Sequence, residues 1–458
     1  MHAPETHRRG AIARIIAYSA ANPFLVLLFV AAAALWGLYA FSHGPLDAIP
    51  DLSDVQVIVS TDWPGKSPDL VEDQITYPIS SALLSTPRVR YVRGQSFFGL
   101  SLVYLVFEDG TDIYWARSRI LEYMNEIQSK LPEGVTPTLG PDATSVGWVF
   151  QYALVDTTGQ HDLQELRSLQ DWNLRFALQS VPGVAEVASV GGFVKEYQVQ
   201  IDPNRLLAYG ITLPQILSAV RASNTETGGE VLELAGHEVM VRGHGYIESL
   251  EDLELAVLRT SDTGAPVYLR DVAEITIGPA MRRGVAELDG QGEAVGGIVI
   301  MRYGENALRV IERVKERLES VRRTLPPGVK LVVTYDRSEL IEASLDTLKD
   351  TLIQEMIVVS LIIFIFLMHV RSALIPILTL PLAALLAFIP MLYQNLTINI
   401  MSLGGIAVAI GAMVDASIII IENVHKRLET WEDEGRPVPR REVVVAAMEE
   451  VGPSIFYS

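Results

Sequence analysis

The sequence predicts an α/β membrane protein, in which transmembrane α-helices carry a large hydrophilic block of split βαβ units. Two observations lead to this fold class. Four long runs of the chain are almost free of charge, and the polar block between the first and second runs alternates strand-like and helix-like segments. With 49% hydrophobic residues and a net charge of −19, the 458-residue chain is typical of neither disordered nor fibrous proteins.

Each of the four apolar runs is long enough to cross a membrane as a helix. A membrane helix needs about 20 apolar residues at a rise of about 1.5 Å each. The four runs are Asn22–Phe41, Leu352–Val370, Ser372–Tyr393 and Leu396–Ile421, and the fourth contains a single charged residue, Asp415. The sequence therefore predicts four transmembrane helices.

The block Ser42–Asp346 holds most of the charge. It contains 26 Lys+Arg and 43 Asp+Glu, and so carries −17 of the net charge of −19. This acidic balance argues against a nucleic-acid-binding protein, which needs a basic surface. The chain has no cysteine, which excludes disulfides, Cys-ligated zinc and thiol catalysis. The sequence also has no Walker A motif, which argues against nucleotide-driven transport.

The basic residues predict the orientation of the four runs. The flank before the first run is basic between residues 8 and 14, which places it in the cytoplasm and the block Ser42–Asp346 outside. The loop at Arg371 and the segment His425–Arg427 are also basic, whereas the outer loop Gln394–Asn395 is uncharged. A cleaved signal peptide is the alternative for the first run, but the run exceeds the usual h-region and no clear A-x-A site follows it.

Within the outer block, one pattern of strands and helices occurs twice, with an interruption near residues 220–280. Val55–Ser60 predicts a strand, and Ser67–Pro68 begins a helix to about Leu84, with Ser as N-cap and Pro at N1. The other predicted strands are Leu100–Glu108, Val149–Val155, Val184–Val190, Glu196–Ile201, Ala294–Met301 and Val329–Tyr335. The other predicted helices are Asp112–Lys130, Leu163–Gln179, a helix capped by Thr212 and Gln215 that runs to about Arg221, and Ala307–Val321. Val231–Leu234 and Glu238–Val241 predict a hairpin.

The segment after the fourth run predicts one interfacial helix and the beginning of another element. Arg440–Glu450 places valine, alanine and methionine on one side and charges on the other, as in a helix lying at a membrane surface. After Val451–Gly452–Pro453, residues 454–458 look like the start of a fifth membrane segment. We therefore expect a truncated sequence.

Asp415 is the most informative single residue. A carboxylate in the middle of a membrane costs about 2.5–3.5 kcal/mol on insertion scales, and nothing in the local structure requires it. At 100° per residue, Gly404, Gly411, Asp415 and Glu422 fall within roughly 20° of one direction on a helix. Glycines allow close approach of a neighbouring helix, so the sequence predicts that Asp415 points into the helix bundle as a proton carrier. The alternatives are a purely structural Asp415 and an interfacial Glu422.

Methionines provide the only sulfur in the chain. Met401 and Met413 lie in the fourth run, and Met281 lies in the outer block. Thioether sulfur is a ligand suited to Cu(I) or Ag(I). Methionine is equally an ordinary packing residue, so the residues alone leave both interpretations open.

These features together resemble the heavy-metal efflux branch of the resistance–nodulation–division (RND) transporter family. The most specific stretches are Gly44–Asp51, Asp62–Gly65, Gly411–Ala416 and Ile421–Asn423, followed by His425–Leu428. The resemblance covers essentially the whole chain. It implies the N-terminal half of a proton antiporter in the bacterial inner membrane, a transporter rather than an enzyme.

The resemblance also implies a division of the chain and a set of partners. The outer block becomes a periplasmic portion of ferredoxin-like split βαβ units with a docking hairpin subdomain. The division is a cytoplasmic N-terminus (1–21), helix 1 (22–41), a first porter unit (42–136), a second porter unit (137–346) with the docking subdomain inserted at about 185–280, helices 2–4 (347–421), a cytoplasmic amphipathic linker (422–452) and the start of helix 5 (453–458). The implied partners are two further copies in a homotrimer, a periplasmic membrane-fusion adaptor, an outer-membrane channel and membrane lipid, with no nucleic acid.

Within the branch, the fourth run resembles copper and silver pumps. Divalent-cation pumps typically carry a second Asp six residues before the relay Asp, and that position here is Ala409. Met281, Met401 and Met413 match positions of a methionine relay in copper and silver pumps, whereas a further relay position is Ile420. The resemblance therefore implies Cu(I) or Ag(I) as substrate, no cofactor, and Asp415 with Glu422 as the proton relay. A divalent-cation pump, an organic-substrate pump and a truncated non-transporting scaffold are the alternatives.

Overall fold

The computed structural model of the protein describes residues 10–260, 264–282, 284–367, 370–394, 396–436 and 438–457. Two segments that bear on the predicted orientation lie outside these ranges: residues 1–9 of the predicted cytoplasmic N-terminus, and Asn395 of the predicted outer loop. The C-terminal Ser458 also lies outside them.

Two helices, separated by Asn22, begin the described chain. They are α1 (Ala11–Ala21) and α2 (Pro23–His43). α2 contains the first apolar run and is long and apolar enough to cross a membrane. Its first residue is a proline, which fits because the N–H that proline lacks has no partner within the first turn of a helix. α1 was not predicted, because its eleven residues fall short of a membrane-length run.

The first α/β unit is an antiparallel four-stranded sheet packed against helices. Its elements are β1 (Gln56–Asp62), α3 (Pro68–Val71), a π-turn (Glu72–Thr76), α4 (Tyr77–Leu83), β2 (Val89–Phe97), β3 (Leu100–Phe107), α5 (Ile113–Ile127) and β4 (Thr138–Leu139). The strand order is β2-β3-β1-β4. The sequence did not predict β2, because this largely exposed strand lacks an alternating apolar pattern. β4 pairs with β1, so this sheet extends past the predicted boundary at residue 136.

The second α/β unit repeats this arrangement around an insertion. It begins with β5 (Trp148–Asp156), α6 (Leu163–Leu169), a π-turn (Gln170–Leu174), α7 (Arg175–Gln179) and β6 (Val184–Gly191). The insertion then follows as β7 (Lys195–Ile201), α8 (Pro203–Tyr209), α9 (Leu213–Ala222), β8 (Thr227–Leu234), β9 (His237–Gly243), α10 (Leu250–Glu254), β10 (Val257–Thr260), β11 (Pro266–Tyr268) and β12 (Ala273–Pro279). The unit ends with β13 (Val295–Met301), α11 (Ala307–Arg322) and β14 (Val329–Asp336). Its strand order is β14-β5-β13-β6, all antiparallel.

The inserted segment contains the predicted hairpin and capping box. In the hairpin, Val231 pairs with Met240 and Leu234 with His237. Ala235 and Gly236 both have positive φ, as a tight two-residue hairpin turn requires. Every residue of β8 and β9 is exposed, so the hairpin projects from the unit. At α9, the Thr212 N–H donates to Gln215 Oε1 over 2.8 Å, which confirms the predicted box.

Four helices complete the chain, and their bounds correct the sequence prediction at three places. They are α12 (Arg337–Leu367), α13 (Val370–Tyr393), α14 (Ile400–Asp433) and α15 (Arg440–Tyr457). α12 begins at Arg337, well before the apolar run at Leu352, so the helix extends beyond that run at its N-terminal end. α14 begins at Ile400, later than Leu396, because Ile398 forms a β-bridge with Leu46. α15 continues through Pro453 to Tyr457, so it is longer than the predicted helix Arg440–Glu450.

Four membrane spans were predicted, and two of the described helices are long and apolar enough to cross a membrane. These are α2 and α14, while the stretch Ile377–Tyr393 within α13 is apolar but shorter. α2, α12, α13 and α14 share one hydrophobic core, which contains Ala40, Val359, Leu380 and Ile410. The apolar helices thus form one cluster beside the two α/β units.

Candidate functional site

Asp415 lies on a face of α14 against which no described residue packs closely. Gly404 and Gly411 share this face, and a Cβ added at either glycine would meet no described atom within 4 Å. Asp415 and Glu422 are both exposed. The opposite face of α14 carries the buried side chains Ile406, Ile410 and Ile421.

The environment of Asp415 among the described residues differs from the predicted one. The sequence predicts a carboxylate that points into the helix bundle, whereas in the described part of the chain Asp415 points away from it. The reason is the side-chain pattern of α14, since its large apolar residues bury against α12 and α13 on the other face. The two glycines leave a smooth surface that a further helix could approach closely.

The N-terminal end of α14 is held by its N-cap and by the segment that follows α2. The Asn399 side chain accepts hydrogen bonds from the Met401 and Ser402 N–H groups, each at 3.0 Å. The Ile398 N–H donates to Pro45 O over 2.8 Å, and the Ile400 N–H donates to Ala48 O over 3.2 Å. These bonds fix where α14 begins, and therefore how far along the helix Asp415 lies.

The three predicted methionine ligands do not come together. Met401 is 68% exposed at the first turn of α14, and Met281 is 69% exposed in the outer block. Met413 lies twelve residues further along α14 from Met401, about 18 Å at the usual helical rise. Met413 is half-buried and packs against the apolar helix cluster. Met281 and Met401 line different cavities, and Met413 lines neither of them.

Met401 lines a cavity of about 940 Å³ at the junction between the helices and the α/β units. Two methionines that sequence reasoning missed, Met301 of β13 and Met391 of α13, line the same cavity. Both lie in apolar stretches, so no sequence signal separates them from ordinary packing residues. Carboxylates line it as well: Asp47, Asp51, Asp54 and Glu305. The described residues contain no group of three His, Asp or Glu side chains placed to hold a metal ion.

The C-terminal part of α14 is hydrogen-bonded to α15. Asn423 Nδ2 donates to Ala447 O over 2.8 Å, and Arg427 donates to both oxygens of the Glu450 carboxylate. Glu422, one residue before Asn423, remains exposed on the same face as Asp415. The structure therefore places the two predicted relay carboxylates on one face, but gives Glu422 no described partner that would assign it a role.

Comparison with known proteins identifies the family. The AcrB/AcrD/AcrF family model matches residues 15–458 of the chain. The chain is 56% identical over 449 residues to the cation efflux system protein CusA of Escherichia coli strain K12, and 54% identical over 450 residues to the putative cation efflux system protein SilA of Salmonella typhimurium. It is 37% identical over 455 residues to the cobalt-zinc-cadmium resistance protein CzcA of Cupriavidus metallidurans.

A solved structure agrees with this relationship. The crystal structure of a heavy metal efflux pump (crystal form II) superposes with a TM-score of 0.83 at 33% identity, covering 97% of this chain and 43% of that one. CusA and SilA are likewise covered to 43% of their lengths and this chain to 97%. The chain thus spans less than half the length of the relatives it matches. With a family model matched over nearly all of its length, the chain belongs to the AcrB/AcrD/AcrF family of RND transporters, as its resemblance to the heavy-metal efflux branch predicted.

Proposed function

We propose that this protein belongs to a proton-driven pump that exports Cu(I) or Ag(I) across the bacterial inner membrane, with Asp415 as the proton carrier. The observation that carries the proposal is the position of Asp415. It is the only charged residue in the run Leu396–Ile421, and it lies on the glycine face of α14. A carboxylate there is costly unless it has a function, because the surrounding side chains cannot solvate its charge.

The proposed membrane arrangement uses α12 and α13 as well as α2 and α14. α12 and α13 contain the apolar runs that begin at Leu352 and Ser372, and both pack in the same core as α2 and α14. With the basic N-terminal flank inside, α2 leads outward and both α/β units lie in the periplasm. Each unit has the strand order of a ferredoxin-like split βαβ unit, which supports the proposed porter architecture.

The methionine sulfur atoms of the chain are the reason for proposing a soft monovalent cation, Cu(I) or Ag(I). Met401 and Met413 lie on α14, and Met281 lies in the outer block, so thioether ligands are available along the chain. The position six residues before Asp415 is Ala409, where divalent-cation pumps typically carry a second carboxylate. The similarity to CzcA keeps a divalent cation as the second candidate.

We further propose a homotrimer that works with a periplasmic adaptor and an outer-membrane channel. The support from this chain is the projecting hairpin β8–β9. Its exposed apolar side chains, such as Leu232, Val239 and Met240, would be unfavourable on an isolated subunit. A neighbouring copy that covers them is the simplest explanation.

Replacement of Asp415 by Asn in the intact protein tests the proposed function. Asn keeps the size and the hydrogen-bonding capacity but cannot carry a proton, so we expect loss of silver and copper resistance at an unchanged level of protein. Asp433→Asn, at the cytoplasmic end of the same helix, is the matched control and should keep resistance. Full resistance in Asp415→Asn would remove the proton-carrier role.

A further inference from the structure

A buried ion pair lies where the membrane helices meet the second α/β unit. Arg337 Nη1 lies 3.3 Å from Asp47 Oδ1. The two residues are only 5% and 9% exposed, and 290 positions in the chain separate them. Asp47 follows α2, whereas Arg337 is the first residue of α12. The pair therefore joins two parts of the chain that are distant in sequence.

Asp47 connects directly to the beginning of α14. Its backbone N–H donates to Ile398 O over 3.1 Å, two residues before the first helical residue Ile400. Its neighbours Pro45 and Ala48 accept hydrogen bonds from Ile398 and Ile400. A displacement of α14 along its axis would thus displace the Asp47 backbone as well.

Arg337 connects the same pair to the second α/β unit. Arg337 Nη2 donates to Trp148 O over 2.6 Å, and Nε lies 3.4 Å from the Tyr335 hydroxyl. Trp148 is the first residue of β5, a central strand of the second sheet. The guanidinium thus bridges the α14 junction to the sheet with separate N–H groups, a geometry that lysine cannot reproduce.

Stability by itself is a poor explanation for this pair. Burial raises the pKa of Asp47 above its ordinary value, and the attraction of Arg337 only partly opposes this shift. The ionised form of Asp47 is therefore destabilised where it lies. Buried ion pairs often contribute no more to stability than apolar residues of the same size. A positioning role accounts for a costly pair at this junction.

We infer that the Asp47–Arg337 pair is a positioning element that couples movement of α14, the helix of Asp415, to the second α/β unit. The inference rests on the proposed function, because it assigns the path by which protonation of Asp415 reaches the periplasmic portion. α14 acts on Asp47 through the backbone bonds at Ile398, and Asp47 acts on β5 through Arg337.

The test measures the ratio of protons to Ag(I) ions moved by the intact protein in proteoliposomes. A ratio does not depend on the amount of folded protein, so a purely structural role would leave it unchanged. In Asp47→Asn, Arg337 loses its charged partner, and we expect protons to move without Ag(I). The ratio of protons to Ag(I) ions should then rise above that of the wild type, because protons cross without driving Ag(I).

Three further variants keep the test decisive. Asp47→Glu retains the charge and should keep the ratio near that of the wild type. Arg337→Lys retains the charge but loses the separate hydrogen bond to Trp148 O. It should raise the ratio of protons to Ag(I) ions less than Asp47→Asn does. Asp171→Asn is the matched control, since it breaks a partly buried ion pair with Arg167 in the second α/β unit and does not line the cavity that contains Asp47.

An unchanged ratio in folded Asp47→Asn overturns the inference while leaving the proposed function intact. If Asp47→Asn fails to fold, an unchanged ratio in Arg337→Lys overturns it in the same way. A wild-type protein that moves protons independently of Ag(I) would overturn the proposed function itself, and with it the coupling. The two failures therefore give different results.

Discussion

Gly37 of α2 lies directly against the backbone of Leu385 in α13. A Cβ built on Gly37 would lie 2.6 Å from Leu385 O and 2.8 Å from Leu385 C, closer than real atoms approach. Backbone atoms cannot move aside as a flexible side chain can. The glycine therefore sets the distance between two apolar helices, in the manner of small residues in membrane helix pairs.

Enlarging this residue should separate α2 from α13. We expect Gly37→Ala to lower the free energy of unfolding by about 1–3 kcal/mol, the usual cost of overpacking, and Gly37→Leu to reduce the amount of folded protein further. Unfolding of the purified protein in detergent measures the change. Gly405→Ala is the control, since a Cβ there meets no described atom within 4 Å. Equal stability of the Gly37 and Gly405 variants would contradict the contact.

The core of the second α/β unit contains one buried polar pair that should be sensitive to substitution. The Tyr152 hydroxyl donates to Gln170 Oε1 over 2.9 Å, and Gln170 is fully buried at the start of a π-turn. Burial raises the pKa of Tyr152, so the hydroxyl stays protonated as a donor. Tyr152→Phe should cost about 1–3 kcal/mol, because it leaves the Gln170 oxygen without a partner.

A double-mutant cycle separates this effect from simple packing. Gln170→Leu combined with Tyr152→Phe removes both polar groups, so the double variant should be more stable than the sum of the two single losses predicts. Additive losses, measured by denaturant unfolding, would show that the hydrogen bond contributes little.

Acid should weaken the turn between β5 and α6. Asp156 accepts hydrogen bonds from the Thr158 N–H at 2.8 Å and the His161 N–H at 2.9 Å, and these bonds hold the pKa of Asp156 well below its ordinary value. A lowered folded-state pKa stabilises the protein above the unfolded-state pKa of about 3.9, and this stabilisation is lost as the pH falls below that value.

We therefore expect Asp156→Asn to flatten the loss of stability below about pH 4 relative to the wild type. Thermal unfolding at several pH values measures this slope, and Asp109→Asn, in another exposed turn, provides the comparison. Identical acid profiles for the wild type and Asp156→Asn would refute the assignment.

Methionine substitutions test the choice of cation. Met401→Leu and Met413→Leu conserve volume, so the fold should be nearly unaffected, but thioether ligands are lost. We expect both variants to lower resistance to silver and copper without changing resistance to zinc or cobalt. Met356→Leu, in the apolar core, is the control. Reduced zinc resistance with normal silver resistance would favour the divalent-cation alternative.

Most elements of the outer block follow from local sequence pattern, and the exceptions have identifiable causes. β13 is buried along most of its length and reads as an apolar run, as predicted. The sequence did not predict β2, because an exposed edge strand needs no alternation of apolar and polar residues. The predicted helix Arg440–Glu450 is too short, because proline ends a helix only where its missing hydrogen bond cannot be tolerated, and α15 continues through Pro453.

The sequence by itself determined the apolar runs, the acidic outer block, the repeated α/β pattern and the face shared by Gly404, Gly411 and Asp415, because all of these depend on residue order and helical or strand periodicity. Only the tertiary structure decided which side of α14 is buried, that Met301 and Met391 line a cavity with Met401, and that Asp47 meets Arg337. These relationships join segments far apart in the chain, and their geometry depends on how helices and sheets pack, which local periodicity does not encode.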